Sequence, residues 1–244
     1  MPRPAPQVSR RLLRFPELLN ARELGGYPTL DGALTRWRSL LRADDLVQLT
    51  PEGMQALAEY GVQTVVDLRW PGEVAATAHP LARRGQEVRY HQVSLLAGSE
   101  MEWASLSGEC SKEMWKCAVL EHTRPQLKNV LQIIADAPDS PLLFHCVAGK
   151  DRTGLIAALL LALADVLPEA IVEDYAASTA QLADAYVLRY ANLERAEILE
   201  AVRCPKEGVH NMLEYLARYG GAAGYLGAIG LSDATISRLR ARLR

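Results

Sequence analysis

His145-Cys146-Val147-Ala148-Gly149-Lys150-Asp151-Arg152-Thr153-Gly154 joins an apolar stretch, Pro141-Leu142-Leu143-Phe144, to a long apolar run from Leu155 to Leu167. The first has the length and apolarity of a buried strand, and the second reads as a buried helix rich in Leu and Ala. Cys146 therefore stands where a strand hands over to a helix N-terminus, where unpaired backbone N–H groups and the helix dipole favour an anion. Thiolate, not thiol, is the nucleophilic form of cysteine. An unperturbed thiol, with a pKa of about 8.5, is only a few per cent ionised at neutral pH. The loop amides, the helix end, Lys150 and Arg152 all favour the charged sulfur. The same donors suit a phosphate group, and the planar fork of Arg152 matches two phosphate oxygens. Cys-x5-Arg thus joins a nucleophile to a clamp for its own substrate.

Each residue of this loop has an expected part. Cys146 attacks phosphorus in line and forms a phosphocysteine, a reading that outweighs the usual fate of a lone thiol as a buried hydrophobe. Arg152 lies in a helix first turn, an unfavourable place for a cation unless an anion is bound there, and its grip strengthens as charge redistributes in the transition state. The backbone of Val147, Ala148 and Gly149 lines the cradle. Gly149 suits a positive φ and Gly154 a close backbone approach. Thr153 offers its hydroxyl to the thiolate, and Lys150 places a second cation at the mouth, which favours highly charged phosphates.

His-Cys-x5-Arg-Thr-Gly resembles the signature loop of the cysteine-dependent protein tyrosine and dual-specificity phosphatases. The longer form, with Gly149-Lys150-Asp151, is similar to that of the bacterial tyrosine/lipid phosphatase branch. Asn20-Ala21-Arg22-Glu23-Leu24-Gly25-Gly26 resembles that branch's N-terminal motif, which usually carries Asp where this chain has Glu23. Gly61 to Arg69, ending Asp67-Leu68-Arg69, resembles its Asp-Leu-Arg strand, and Met212 to Arg244 its closing helices. The resemblance covers most of the chain from about Asn20, and its signature loop is the specific part. It implies hydrolysis of phosphotyrosine, phosphoserine/threonine or phosphoinositides, with no metal or cofactor.

The resemblance also bears on the proton donor. Alkoxide or phenoxide departure needs an acid, and thiophosphate hydrolysis needs a base. Many tyrosine phosphatases supply an Asp from a loop some thirty residues before the Cys, but 97–117 contains no Asp. Trp70-Pro71-Gly72 resembles that loop superficially, yet ends in Gly and lies too far upstream. The branch is thought to use the Asp inside its signature loop, which puts Asp151 in the acid–base role, with Asp67 and Glu100 as rivals. Asp151 has the structural alternative of pairing with a neighbouring base, Asp67 and Arg69 of pairing with each other, and Arg22 and Asp174 of buttressing the site.

The chain has 244 residues, 49% hydrophobic and 23% charged, ordinary for a globular protein with one large core. A net charge of −2 argues against nucleic-acid binding through bulk charge. Cys110, Cys117, Cys146 and Cys204 lack the spacing of a zinc site or a disulfide framework, which points to reduced thiols in a cytoplasm. Residues 1–16, rich in Pro and Arg, read as a disordered lead-in to one domain over 17–244. They contain no signal-like apolar stretch, and Leu155 to Ala164 is too short to span a bilayer.

The pattern predicts an α/β fold: a tyrosine-phosphatase-like central sheet flanked by helices, with a largely helical C-terminal half. Strands are expected near 30–37, about an Asp31-Gly32 turn, and at 64–68, 88–93 and 142–144. Helices are expected from Thr50-Pro51 to Tyr60, over Glu169 to Arg203 in two pieces, over 209–219, and from Ser232 to Leu243. The segment 100–119 reads either as a lid or as core packing. A nucleotide P-loop needs Gly where Phe144 stands and Ser or Thr where Asp151 stands. A rhodanese-like sulfur transferase also uses a Cys loop, but Arg152-Thr153-Gly154 and the Asn20 to Gly26 match favour the phosphatase. A phosphate-binding module without turnover would typically have lost Cys146 or Arg152, and both are present.

Overall fold

A computed structural model describes residues 10–77, 80–82, 88–96 and 110–244. Its sheet holds β1 (Arg22–Glu23), β2 (Leu40–Ala43), β3 (Thr64–Asp67), β4 (Arg89–Gln92) and β5 (Leu142–His145) in the order β1-β2-β5-β3-β4. Strands β2 to β5 run parallel, and β1 closes one edge antiparallel to β2. The register aligns Ala43, His145 and Asp67, so the strands end level. The loops that follow them gather along one edge, where parallel α/β sheets place ligands.

Side chains alternate across the sheet. Leu40, Val66, Leu142 and Phe144 enter one core, and Leu41, Ala43, Val65 and Leu143 enter the other. The second core is completed by α1 (Pro51–Tyr60), with Leu57, and by Phe15 and Leu18. Thr50 caps α1, its hydroxyl accepting from the Gly53 amide. The short α2 (Pro71–Ala76) lies between β3 and β4 in the chain, and α3 (Trp115–His122) and α4 (Arg124–Asp136) lead into β5. The first core is covered by α5 (Asp151–Leu163), in which ten of thirteen residues are buried. A helix apolar all round belongs inside a protein. Beyond it come α6 (Pro168–Arg189), α7 (Arg195–Val202), α8 (Glu207–Ala217), α9 (Ala222–Ala228) and α10 (Asp233–Ala241), the last capped by Ser232.

One expected strand is absent. The Asp31-Gly32 turn forms, with Gly32 at φ +82° and a single bridge between Pro28 and Leu34, but 30–37 joins no sheet. The place beside β5 belongs to Leu40–Ala43, every residue of which is buried, while Leu30, Leu34 and Trp37 stay exposed. Gly220-Gly221 does end α8, as expected, but the short α9 that starts directly after it was unforeseen. Of the segment 100–119, residues 100–109 lie outside the described residues, including Glu100, Met101 and Trp103. In the described remainder Lys116, Cys117 and Val119 of α3 are buried, whereas Met114 is exposed. Among the described residues no helix is long and apolar enough to cross a membrane.

Candidate active site

Cys146 follows β5 directly and is buried, and α5 begins five residues later. The carbonyls of the intervening loop are all held from behind. His145 Nδ1 donates to the Cys146 carbonyl at 3.1 Å, and the Asp45 amide donates to Val147 at 2.9 Å. Asn20 Nδ2 reaches the Ala148 and Gly149 carbonyls at 2.9 and 3.2 Å. Arg42 Nη2 reaches Gly149 at 2.6 Å, and the Gly154 amide takes Lys150 at 2.8 Å. With the carbonyls turned outward, the N–H groups of 147–152 are left to the other side, and none donates to an acceptor among the described residues. Such a bowl of amides at a helix N-terminus is an anion site. Gly149 has φ +62°, and a Cβ there would come within 2.4 Å of the Ala43 carbonyl oxygen, so the tight approach to β2 requires glycine.

Arg152 is one turn into α5, largely buried, and near enough that Cys146 reinforces its positive charge. Burial opposes that charge, but two charge-assisted bonds to Glu73, at 2.6 and 2.8 Å, and the Cys146 sulfur overcome it. Glu73 is itself fixed, accepting the Trp70 amide at 2.7 Å in the first turn of α2. The Thr153 hydroxyl is buried with no partner among the described residues. A nucleophile at the floor, an amide bowl and a guanidinium beside it are what in-line attack on a phosphate monoester needs. Among the described residues no three His, Cys, Asp or Glu side chains are placed to hold a metal ion.

A family model described as the tyrosine phosphatase family matches residues 13–244. The chain belongs to this family. It is 36% identical over 221 residues to a tyrosine-protein phosphatase of Nostoc commune, covering 84% of this chain and 74% of the relative. It is 27% identical over 245 residues to the triple specificity protein phosphatase PtpB of Mycobacterium tuberculosis, covering 82% of this chain and 89% of that one. Among solved structures, Pseudomonas aeruginosa TpbA aligns with 68% of this chain and 86% of its own, at 18% identity and a TM-score of 0.37. The protein is thus a phosphatase, a hydrolase of phosphate monoesters, and the sulfur-transferase and binding-module alternatives are set aside.

The phosphatase places two loop residues differently from the sequence expectation. Lys150 is not free at the mouth. Its ammonium donates to the Ala201 carbonyl at 2.7 Å and lies 3.3 Å from Asp151 Oδ2. Ala201 is in the last turn of α7, where carbonyls lack intrahelical partners and the dipole is negative, so the cation is drawn there. Asp151 is half-exposed, and its Oδ1 accepts from the Tyr175 hydroxyl at 3.0 Å. Asp67 is engaged by Arg69 and Tyr90 at the end of β3, a structural pairing that holds its carboxyl down at about 2 despite burial.

Behind the bowl lies a buried ionic hub. Asp174 in α6 accepts from Arg22 Nε at 2.8 Å, from Tyr27 at 2.7 Å and from Arg42 Nη1. Burial opposes ionisation of Asp174, but the charges of Arg22 and Arg42 overcome it and hold the carboxyl well below the usual range. Arg22 also orients Asn20, whose amide grips the loop. Arg42, Asn20, Glu73, Lys116 and Tyr175 were not singled out as site residues from sequence.

Two predictions arise here. Glu73→Gln keeps the size of the side chain but weakens the double clamp, freeing the guanidinium to turn. Misplaced substrate-positioning groups cost up to about 100-fold. A loss of about tenfold in kcat/KM for an aryl phosphate is expected, with the melting temperature little changed, and unaltered kinetics would remove Glu73 from the site. Asp44 is buried and accepts the Leu19 and Asn20 amides, at 3.1 and 2.9 Å. Burial, opposed by those bonds, pushes its carboxyl up to about 6. Because this exceeds the unfolded value of about 3.9, the folded state takes up a proton between the two. The stability from this group is full below pH 4 and lost as pH rises through 6. Asp44→Asn should therefore flatten that part of the melting temperature's pH dependence, and an identical profile would contradict the assignment.

Proposed function

We propose that the phosphatase works through a phosphocysteine formed on Cys146. The sulfur anion attacks phosphorus, the bond from phosphorus to the leaving oxygen breaks, and Asp151 gives that oxygen a proton. Water then attacks phosphorus, the S–P bond breaks, and Asp151 takes the proton from the water while Cys146 departs as thiolate. Arg152 and the amides of 147–152 hold the phosphoryl oxygens throughout, and the Thr153 hydroxyl meets the departing sulfur. The observation that carries this reading is the loop after a buried cysteine: the six N–H groups of 147–152 donate to no acceptor among the described residues, and Arg152 stands beside them.

Phosphotyrosine is the first substrate class in this reading. Phosphoserine/threonine is supported by the name of the triple specificity relative, and phosphoinositides by the Gly149-Lys150-Asp151 signature. Residues 17–244 act as one catalytic domain, and reduced thiols suit a cytoplasmic enzyme. Asp151→Asn tests the proton step. Its turnover should fall about 100-fold on poor leaving groups and much less on good ones, since a good leaving group needs no acid. Equal losses would move the acid elsewhere. A panel of phosphopeptides and phosphoinositides, assayed side by side, reads the substrate class.

A further inference from the structure

Lys116 in α3 has its whole side chain inside the protein, only 1% exposed. An ammonium taken out of water is costly unless it is paired. Among the described residues this one forms no ion pair and no hydrogen bond to a side chain. It sits instead 3.5 Å from the centroid of the Tyr175 ring, in a cation–π contact. Tyr175 is fixed on two further sides. Its ring edge lies against Gly154, where a Cβ would come within 2.8 Å of Cδ2, and its hydroxyl donates to Asp151. A cation over the face of a phenol makes the O–H a stronger donor, so ammonium, ring and carboxylate polarise in one direction.

We propose that Lys116 and Tyr175 are positioning residues for Asp151: the ammonium, acting through the phenol, holds that carboxylate in one orientation beside the signature loop. The proposal rests on Asp151 serving as the acid–base group. The close approach of Gly154 to Tyr175 gives the arrangement a chemical sense, because the signature loop's last glycine makes room for the ring that reaches back to the loop's own Asp. The charged and titratable neighbours of Lys116 divide. Asp151 and Cys204 favour its ammonium, whereas burial above all, then Lys150 and Arg42, oppose it and push it down to about 8. The grip on Asp151 therefore weakens in mild alkali.

The test compares Lys116→Met and Tyr175→Phe with Asp151→Asn in the full chain, using aryl phosphates with a good and a poor leaving group. Tyr175→Phe keeps the ring packing and removes only the hydroxyl. Each single variant is expected to lower kcat about tenfold with KM changed less than about twofold, and to shift the pH profile of kcat. Added to Asp151→Asn, neither should lower kcat further. An equal loss with and without Asp151, or a pH profile identical to the wild type, would make the pair packing residues and overturn the proposal. If Asp151→Asn itself spares turnover on the poor leaving group, it is the acid–base reading that fails. Should Lys116→Met not fold, Tyr175→Phe decides the question by the same criteria.

Discussion

Cys146→Ser should lower turnover of a generic aryl phosphate by at least about 10⁴-fold while the variant still binds inorganic phosphate or vanadate. The size of the loss follows from the chemistry: a serine hydroxyl is far less acidic than a thiol and is a weak nucleophile unless a base takes its proton. Removing a nucleophile that acts as a unit with its surroundings typically costs several orders of magnitude, while residual rate comes from the remaining binding groups. Phosphate binding should survive because it depends on the 147–152 amides and Arg152, and the serine is nearly isosteric. Single-turnover assays with a radiolabelled substrate should show a labelled enzyme for the wild type and none for the variant. Wild-type turnover in the variant would dispose of the phosphocysteine route.

The second large effect concerns stability. Asp174→Asn leaves Arg22 and Arg42 buried without a counter-charge, and breaking a buried ion pair from one side costs about 3–5 kcal/mol. In a chain of this size that corresponds to a fall of about 6–20 °C in melting temperature. Its pH dependence has a definite sign. Asp174 is depressed in the folded state, so its stabilisation is full above the unfolded value of about 3.9 and is lost only as pH falls through the lower folded value. The gap between wild type and variant should be the same at pH 7 and pH 5 and close only in strong acid. A melting temperature within about 2 °C of the wild type at neutral pH would show that the hub is not a source of stability. Activity should fall too, because Arg42, together with Asn20, holds the Gly149 carbonyl.

How much of this was legible in the sequence divides by range. Strand β5, the loop after it and helix α5 were readable because each carries a local signal: an apolar run, a Cys-x5-Arg spacing, a run too apolar to lie on a surface. Strand β3 and the capped helices α1 and α10 were readable on the same grounds. Strand β2 was not, since Arg42 interrupts a four-residue apolar run and a charge in a short segment looks like surface. Among the described residues its ion-pair partner is Asp174, 132 positions away. Asn20 reaches the loop across 128 positions, and Arg152 reaches Glu73 across 79. No periodicity encodes such meetings. Lys116 reads in sequence as a solvated residue of a helix. Only the fold shows it beneath α6, facing an aromatic ring.

The hub has a consequence for how the enzyme comes into being. Its partners come from either side of Cys146 in the chain, Arg22 and Arg42 before it and Asp174 after it. Synthesis therefore makes Cys146 before the part that completes its surroundings, and the growing chain carries an unfinished hub until α6 is made. Shortened products that stop before residue 174 should therefore show no phosphatase activity, so that activity appears only once the hub is complete.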